Sequence, residues 1–415
     1  MKEYNIQKFC RLCNSKLLIN FIDFGKVPIG NNLLKKYDSS LKAKKYPLKV
    51  KRCTSCGHFQ LSHIINKKIL YTKNYTYLSG VAKDFIKHFE KYSNFIKKNY
   101  LKNMKNKKIL DIGSNDGTCL KFFKNLGAIV VGIDPAKKAS IIANKQGITT
   151  FNNFFNNETH KIIKKKYSTF DLITSHNVLA HVENNQFIFQ KIYELLKPNG
   201  IFVFEVGYFI DVLKNNYFDT IYHEHLDYHH CSPLLLFLKN IGFSVIEISR
   251  NNAQGGSIRV ISKKLKQQKT SRSVLKFLKN EKIYLKNKEN YILNWQNNNL
   301  KKINNFQKLV EYEMKFNKKI IGYGSPTKIV LLLKLSNLDS RNIKFIHEDN
   351  HLKLNKFLPT TGIPIKKINI NNLKNIDVII IFAWNFSKNI INNIKKYKKN
   401  IKIIIPLPKP KIIKI

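Results

Sequence analysis

The sequence predicts an α/β chain: two open, mostly parallel sheets behind a small metal-stapled domain. Three observations carry this reading. Two Cys-x-x-Cys pairs, Cys10/Cys13 and Cys53/Cys56, stand near the start. An apolar strand, a Gly-rich turn and a helix follow at 108–126, with an acidic strand end at Asp134. The strand, Gly-rich turn and helix pattern then restarts at Lys319. At ~150 residues per domain, 415 residues give two or three domains. The pattern divides them as 1–75, 76–265 and 266–415.

Composition narrows the class. Apolar residues make up 43%, ordinary for a globular chain. Apolar runs such as Val378–Trp384 are far shorter than the ~18 residues a membrane helix needs. Met1–Cys10 is polar and lacks the apolar core of a signal peptide, so a cytoplasmic, membrane-free protein is expected. The 74 Lys plus Arg against 26 Asp plus Glu give +48, yet only six of the basic residues are Arg. Nucleic-acid readers favour Arg for bidentate contacts. Scattered Lys beside abundant Asn, Ile, Tyr and Phe reads instead as AT-rich codon usage on solvated surfaces, and no specific nucleic-acid partner is expected.

Each element follows in order. A two-residue spacing puts two thiolates on one tight knuckle, and two knuckles complete a tetrahedral zinc set. Cys10, Cys13, Cys53 and Cys56 therefore predict a closed, structural zinc site. Tyr71, Tyr75 and Tyr77 then fall in an extended segment, as candidate donors to an oxyanion or as a packed junction. The spacing of Phe85, Phe89, Tyr92 and Ile96 predicts a helix over 83–103.

The strand Lys108–Ile112 runs into Gly113-Ser-Asn115-Asp116-Gly117-Thr118 and a helix. Asp134 ends the next strand, where a carboxylate can grip two ribose hydroxyls. The Gly-x-x-x-Gly turn lacks a pyrophosphate cradle, which favours S-adenosylmethionine (SAM) over a nicotinamide cofactor. Strands at 170–176 and 200–205 complete the half-sheet, and Asn177–His181 forms the loop after the fourth strand.

Six imidazole or carboxylate groups crowd the eight residues from His223 to His230. On an extended segment His223 and His225 share a face, with Glu224 opposite. Metal binding, acid–base work and a polar loop of satisfied histidines are the three readings. Residues 272–316 read as amphipathic helices with Leu275, Ile292, Ile303, Phe306 and Val310 among the core positions. Beyond them Gly322-x-Gly324 opens the second sheet, as a ligand turn or a packing turn.

Taken jointly, these motifs resemble the sugar C-methyltransferases that act on nucleotide-linked 4-keto-deoxysugars. The resemblance covers nearly the whole chain. Cys10-x-x-Cys13 … Cys53-x-x-Cys56-Gly57-His58 looks like the family's zinc domain, and Tyr75-x-Tyr77-x-Ser79-Gly80 like its tyrosine motif. Asp111–Thr118 and Asn177–Val182 are similar to its SAM motifs, and Tyr222-His223-Glu224-His225 to its catalytic loop. Gly255-Gly256-Ser257-x-Arg259 and Gly322-Tyr323-Gly324-Ser325-Pro326-x-Lys328 resemble its later motifs, although Ile329-Val-Leu replaces the usual Gly-Asn-Thr.

The resemblance implies a class I methyltransferase Rossmann-like sheet flanked by the zinc domain and a smaller Rossmann-like domain. It implies SAM contacts at Asp111, Gly113, Asn115, Asp116, Gly117, Asp134, Asn177 and His181. It implies a base at His225 or His223, oxyanion donors at Tyr222 and Tyr75 or Tyr77, and Glu224 orienting His225 or binding a sugar hydroxyl. Substrate contacts would come from Gly255, Gly256, Ser257, Arg259, Tyr323 and, toward the diphosphate, Lys328.

Overall fold

The computed structural model describes residues 2–71, 78–81, 83–251, 256–265, 270–368, 373, 375–398 and 400–415. Tyr75, Tyr77 and Gly255 lie outside the described residues. The central sheet has seven strands, in the order Phe243–Asn251, Ser257–Lys264, Leu196–Gly207, Phe170–His176, Lys108–Ile112, Ile129–Ile133, Thr150–Phe151. The last five are parallel; Ser257–Lys264 is antiparallel to both its neighbours, so Phe243–Asn251 runs in the same direction as the five. Helices cover both faces, so the strands are near-continuous apolar runs: Phe202, Val203, Phe204 and Val206 are all fully buried. The order reverses between Lys108–Ile112 and Phe170–His176, which opens a crevice at their carboxyl ends.

The helix expected over 83–103 spans Lys83–Asn99. Phe85, Phe89, Tyr92 and Ile96 line its buried face, as their spacing requires. The helix Thr118–Asn125 starts straight from Gly117, whose φ of 78° is one that glycine adopts at little cost.

The N-terminal domain is a four-stranded antiparallel sheet, ordered Asp227–Tyr228, Phe59–Leu61, Lys45–Cys53, Leu18–Pro28. Its first strand comes from the central domain, so the two domains share a sheet. The C-terminal sheet is ordered Lys356–Phe357, Pro364–Lys366, Ile346–His347, Ile320–Tyr323, Val378–Ile381, Lys402–Ile405, Lys411–Lys414. Both outer strands are antiparallel and the inner five parallel. Its own switch point lies between Ile320–Tyr323 and Val378–Ile381.

Helices Arg272–Asn287, Glu289–Leu293 and Trp295–Lys315 join the two sheets. Ile292, Ile303, Phe306 and Val310 are buried as expected, whereas Leu275 is 54% exposed and Val274 takes the inward position. Trp295 is fully buried and donates its Nε1–H to the Leu213 carbonyl at 3.1 Å, which locks this connector onto the central domain. Among the described residues, no helix is long and apolar enough to cross a membrane.

Candidate active site

The glycine turn sits at the carboxyl end of the first central strand. Gly113 has φ +77°, and a Cβ there would lie 2.2 Å from Val178 Cγ2. Asp134 holds the turn shut: its two oxygens accept from the amides of Asn115 (2.9 Å) and Ala136 (2.8 Å). Each oxygen keeps a lone pair for a ribose hydroxyl. Asp111 Oδ1 is buried and has no partner among the described residues. Burial, then the neighbouring Asp134, pushes the Asp111 carboxyl up to about 8. An unsatisfied buried carboxylate beside a glycine turn fits a cationic, hydroxyl-bearing ligand, as SAM is.

The side chains of two expected cofactor contacts have partners within the chain. Asn115 Oδ1 accepts from the Ser79 amide at 2.9 Å, and Asp116 Oδ2 from the Gly80 amide at 2.8 Å. Asp116 also accepts from Thr118 Oγ1 at 2.6 Å, at the entrance to the helix. These side chains pin Ser79-Gly80, the end of the tyrosine motif, against the turn. Asn177, with φ +55°, turns the chain out of the fourth strand, its amide bonded to Glu205 O at 2.8 Å. Four residues on, the His181 ring lies 4.8 Å from the His225 ring and its Nδ1 bonds the Tyr71 hydroxyl at 3.1 Å. The loop 177–181 thus touches the cradle through Val178 and the histidine turn through His181.

The shared face expected for His223 and His225 does not form. Residues 222–225 make a tight turn closed by the His225 amide on Tyr222 O at 3.0 Å, which sends the two rings apart. His223 Nε2 donates to the Tyr46 carbonyl at 3.2 Å, with its ring edge-on to Tyr46. His225 Nδ1 lies 3.0 Å from the Thr220 carbonyl, which only accepts, so Nδ1 carries the hydrogen. Nε2 is therefore the lone-pair nitrogen, and the Tyr222 hydroxyl donates to it at 2.7 Å. Burial, then neighbouring His181, pushes the His225 imidazole well below its ordinary value, which keeps it neutral.

Glu224 does not orient His225. It accepts from Asn31 Nδ2 at 2.7 Å, and Asn31 Oδ1 in turn accepts from Thr327 Oγ1 at 2.9 Å. The three domains meet at this carboxylate, which burial pushes up to about 7 against the Asn31 bond. Lys328, expected to face a diphosphate, is also taken: Nζ pairs with Asp219 at 2.9 Å and sits 3.9 Å above the Trp384 ring. Trp384 Nε1 donates to the same Asp219 oxygen at 2.7 Å. Tyr323 bonds Asp349 at 3.2 Å. The switch-point ends of the C-terminal sheet, Tyr323–Ser325 and Phe382–Trp384, hence face the segment leading into the histidine turn.

Arg259, expected to contact substrate, has its partner within the chain. Its guanidinium is forked onto Glu205 (2.6 and 2.7 Å) and lies over Tyr92 at 4.7 Å. His88 Nε2 (2.7 Å) and His176 Nδ1 (3.1 Å) reach the other Glu205 oxygen. His88, His176 and Glu205 are spaced as a metal trio, but Arg259 already supplies the compensating cation. Gly256, φ +127°, gives its carbonyl to the Tyr208 amide, and Ser257 is buried at the start of its strand. The Arg259–Glu205 pair escaped sequence reading; in the structure four of the six Arg (11, 250, 259, 341) pair with carboxylates.

The zinc set converges. Cys10 and Cys56 sulfurs lie 3.6 Å apart, as do those of Cys13 and Cys53, and all four fall within 4.8 Å of one another. Sulfurs held ~2.3 Å from a tetrahedral zinc sit at such spacings. All four cysteines are free of disulfides, so the donors fit the ion.

Three family models match the chain in sequence order: a zinc binding domain over residues 10–71, a methyltransferase domain over 85–248, and a C-methyltransferase C-terminal domain over 252–408. C-methyltransferase NovU of Streptomyces niveus is 30% identical over 406 residues, which cover 97% of this chain and 96% of that protein. The chain belongs to the C-methyltransferase family. It is a SAM-dependent C-methyltransferase with a four-cysteine zinc domain, in agreement with the resemblance carried by its motifs. Other similarities to this C-methyltransferase are partial. Ubiquinone biosynthesis O-methyltransferase of Histophilus somni is 35% identical over 108 residues, 24% of this chain and 44% of that protein. Magnesium protoporphyrin IX methyltransferase from Synechocystis, solved with SAM, is 13% identical with a TM-score of 0.33, covering 43% of this chain and 78% of that one.

Proposed function

We propose that this C-methyltransferase acts on a nucleotide-linked 4-keto-deoxysugar, at the carbon next to the ketone (C3). The observation that carries the reading is the state of His225: a neutral ring with Nδ1–H on Thr220 O and an Nε2 lone pair reached by a hydroxyl. Carbon becomes nucleophilic only once a proton leaves, and a ketone acidifies the neighbouring C–H. His225 Nε2 takes that proton, and the electron pair delocalises onto the ketone oxygen. The Tyr222 hydroxyl, displaced from Nε2, donates to the enolate oxygen. Tyr75 and Tyr77 are further candidate donors. SAM, when bound, would supply the electrophilic methyl group to the enolate carbon, its S–CH3 bond breaking to leave S-adenosylhomocysteine.

Asp111, Gly113, Gly117 and Asp134 hold the cofactor, and the histidine turn holds the ketone. The facing ends of the C-terminal sheet, with Gly256 and Ser257, support binding of the nucleotide sugar. The resemblance to the sugar enzymes supplies the substrate class, and the cytoplasm is the compartment in which we place the reaction. The test uses a nucleotide sugar 4,6-dehydratase product in deuterated water. Without SAM, the C3 proton exchanges for deuterium; with SAM, C3 gains a methyl. His225→Gln loses both, and His223→Gln keeps both. Full activity of His225→Gln refutes the assigned base, and methyl transfer to oxygen refutes the carbon chemistry.

A further inference from the structure

We propose that Asp227 is a positioning residue that ties the histidine turn to the two zinc knuckles, so that the zinc domain sets where His225 stands; this rests on the base reading above. The dense run from His223 to His230 is explained by two jobs. Residues 222–225 form the reactive turn, while Asp227 and His230 grip residues beside the cysteines.

The Asp227 side chain is fully buried, and both its oxygens are saturated. Arg11, the residue after Cys10, donates Nε to Oδ1 at 2.9 Å and Nη2 to Oδ2 at 3.0 Å. His58, two residues after Cys56, donates Nε2 to Oδ1 at 2.8 Å, and Asn185 donates to Oδ2 at 2.9 Å. A forked guanidinium and a ring N–H fix a carboxylate in position as well as in charge. Three residues on, His230 Nε2 donates to Gly57 O at 3.0 Å and Nδ1 lies 3.3 Å from Glu281. Each knuckle thus presents its flanking residues to the same short segment.

The backbone makes the link stiff. Asp227–Tyr228 is a strand of the zinc-domain sheet, and the Leu61 amide bonds Leu226 O at 2.9 Å. The amides of Leu226 and Asp227 both donate to Ala180 O, at 2.6 and 3.2 Å. Arg11 also donates to the Val182 carbonyl, and to Glu183 O at 3.0 Å. One arginine therefore joins a zinc knuckle, the loop carrying His181 and the segment carrying His225. His225 stands two residues from Asp227, at most ~7 Å along the chain. A ~1 Å misplacement of a reacting group costs about a hundredfold in rate.

The test compares zinc-loaded full-length protein with Asp227→Asn and Arg11→Lys, which keeps charge but loses the fork. Expected are about one zinc per chain, SAM affinity within about threefold of wild type, and kcat per folded, zinc-loaded chain lower by about tenfold or more. Hydrogen exchange quickens in peptides covering 220–230 and stays unchanged over 108–118. A purely structural role would lower thermal stability without this kcat loss. Unchanged exchange over 220–230 together with unchanged kcat in both variants overturns the proposal. Should Asp227→Asn not fold, Arg11→Lys decides alone. Exchange reads the tether whichever residue is the base, so failure of the His225 assignment shows separately, as activity retained in His225→Gln.

Discussion

Gly113→Ala probes the cofactor cradle most directly. The left-handed backbone at φ +77° costs an alanine ~1–2 kcal/mol. The new methyl would stand 2.2 Å from Val178 Cγ2 and 3.1 Å from its Cβ and Cγ1. Contact distance for carbon is ~3.5 Å, so Val178 must retreat by more than ~1 Å. Valine is stiff at χ1, and leaving its rotamer costs ~0.5–1.5 kcal/mol. Val178 sits on the loop that carries His181. A ligand-free chain can shed both costs by letting the turn and that loop relax, whereas a chain holding the cofactor needs the cradle closed. The strain is then borne on binding, at ~2–3 kcal/mol, which weakens SAM by about 30- to 150-fold. Titration calorimetry with SAM on folded protein reads this directly. Adding Val178→Ala removes the clash but not the backbone cost, leaving a loss of about 5- to 30-fold. Gly113→Ala that binds SAM within about threefold of wild type, with the fold intact by circular dichroism, refutes the placement of the cradle at this turn.

Other outcomes follow from the same geometry. Cys53→Ser lowers zinc from about one per chain toward zero by metal analysis, with a drop in melting temperature, because a three-ligand knuckle pair no longer closes the site. Asp111 gives a pH signature. Its carboxyl is raised to about 8 by burial first and Asp134 second, so it is mostly protonated at pH 7 in ligand-free protein. A raised carboxyl opposes folding above about pH 8, and that cost is relieved as pH falls below 8. A cationic ligand favours the ionised form, so SAM binding releases a proton near pH 7 and tightens as pH rises to about 8. Calorimetry in two buffers of different ionisation heat checks this, and Asp111→Asn abolishes the release. Asp219→Asn leaves the largely buried Lys328 without its anion and Trp384 without its carboxylate acceptor; breaking such a pair costs ~3 kcal/mol or more. Denaturant melts should show that loss, with part of it recovered by Lys328→Met in the same chain.

Much of this protein was readable from spacing alone. Two Cys-x-x-Cys pairs set the zinc site because sulfur geometry depends on local chain reach, and the four thiols do converge. The Gly-rich turn after an apolar strand was legible for the same reason: Gly113 needs its backbone angle wherever the helix goes. Both sheets could be read because strands buried on two faces are written as unbroken apolar runs.

The histidine run could not be sorted this way. On a strand His223 and His225 are equivalent, and only the turn closed by Tyr222 separates them. Glu224, Arg259 and Lys328 found partners at Asn31, Glu205 and Asp219, from 54 to 193 residues away in sequence. Local pattern therefore determined the four-cysteine site, the glycine turn and the fold class of this C-methyltransferase. Tertiary structure decided which polar groups pair with one another and lock the domains together, because a buried charge is committed to whatever partner packing brings within hydrogen-bond reach.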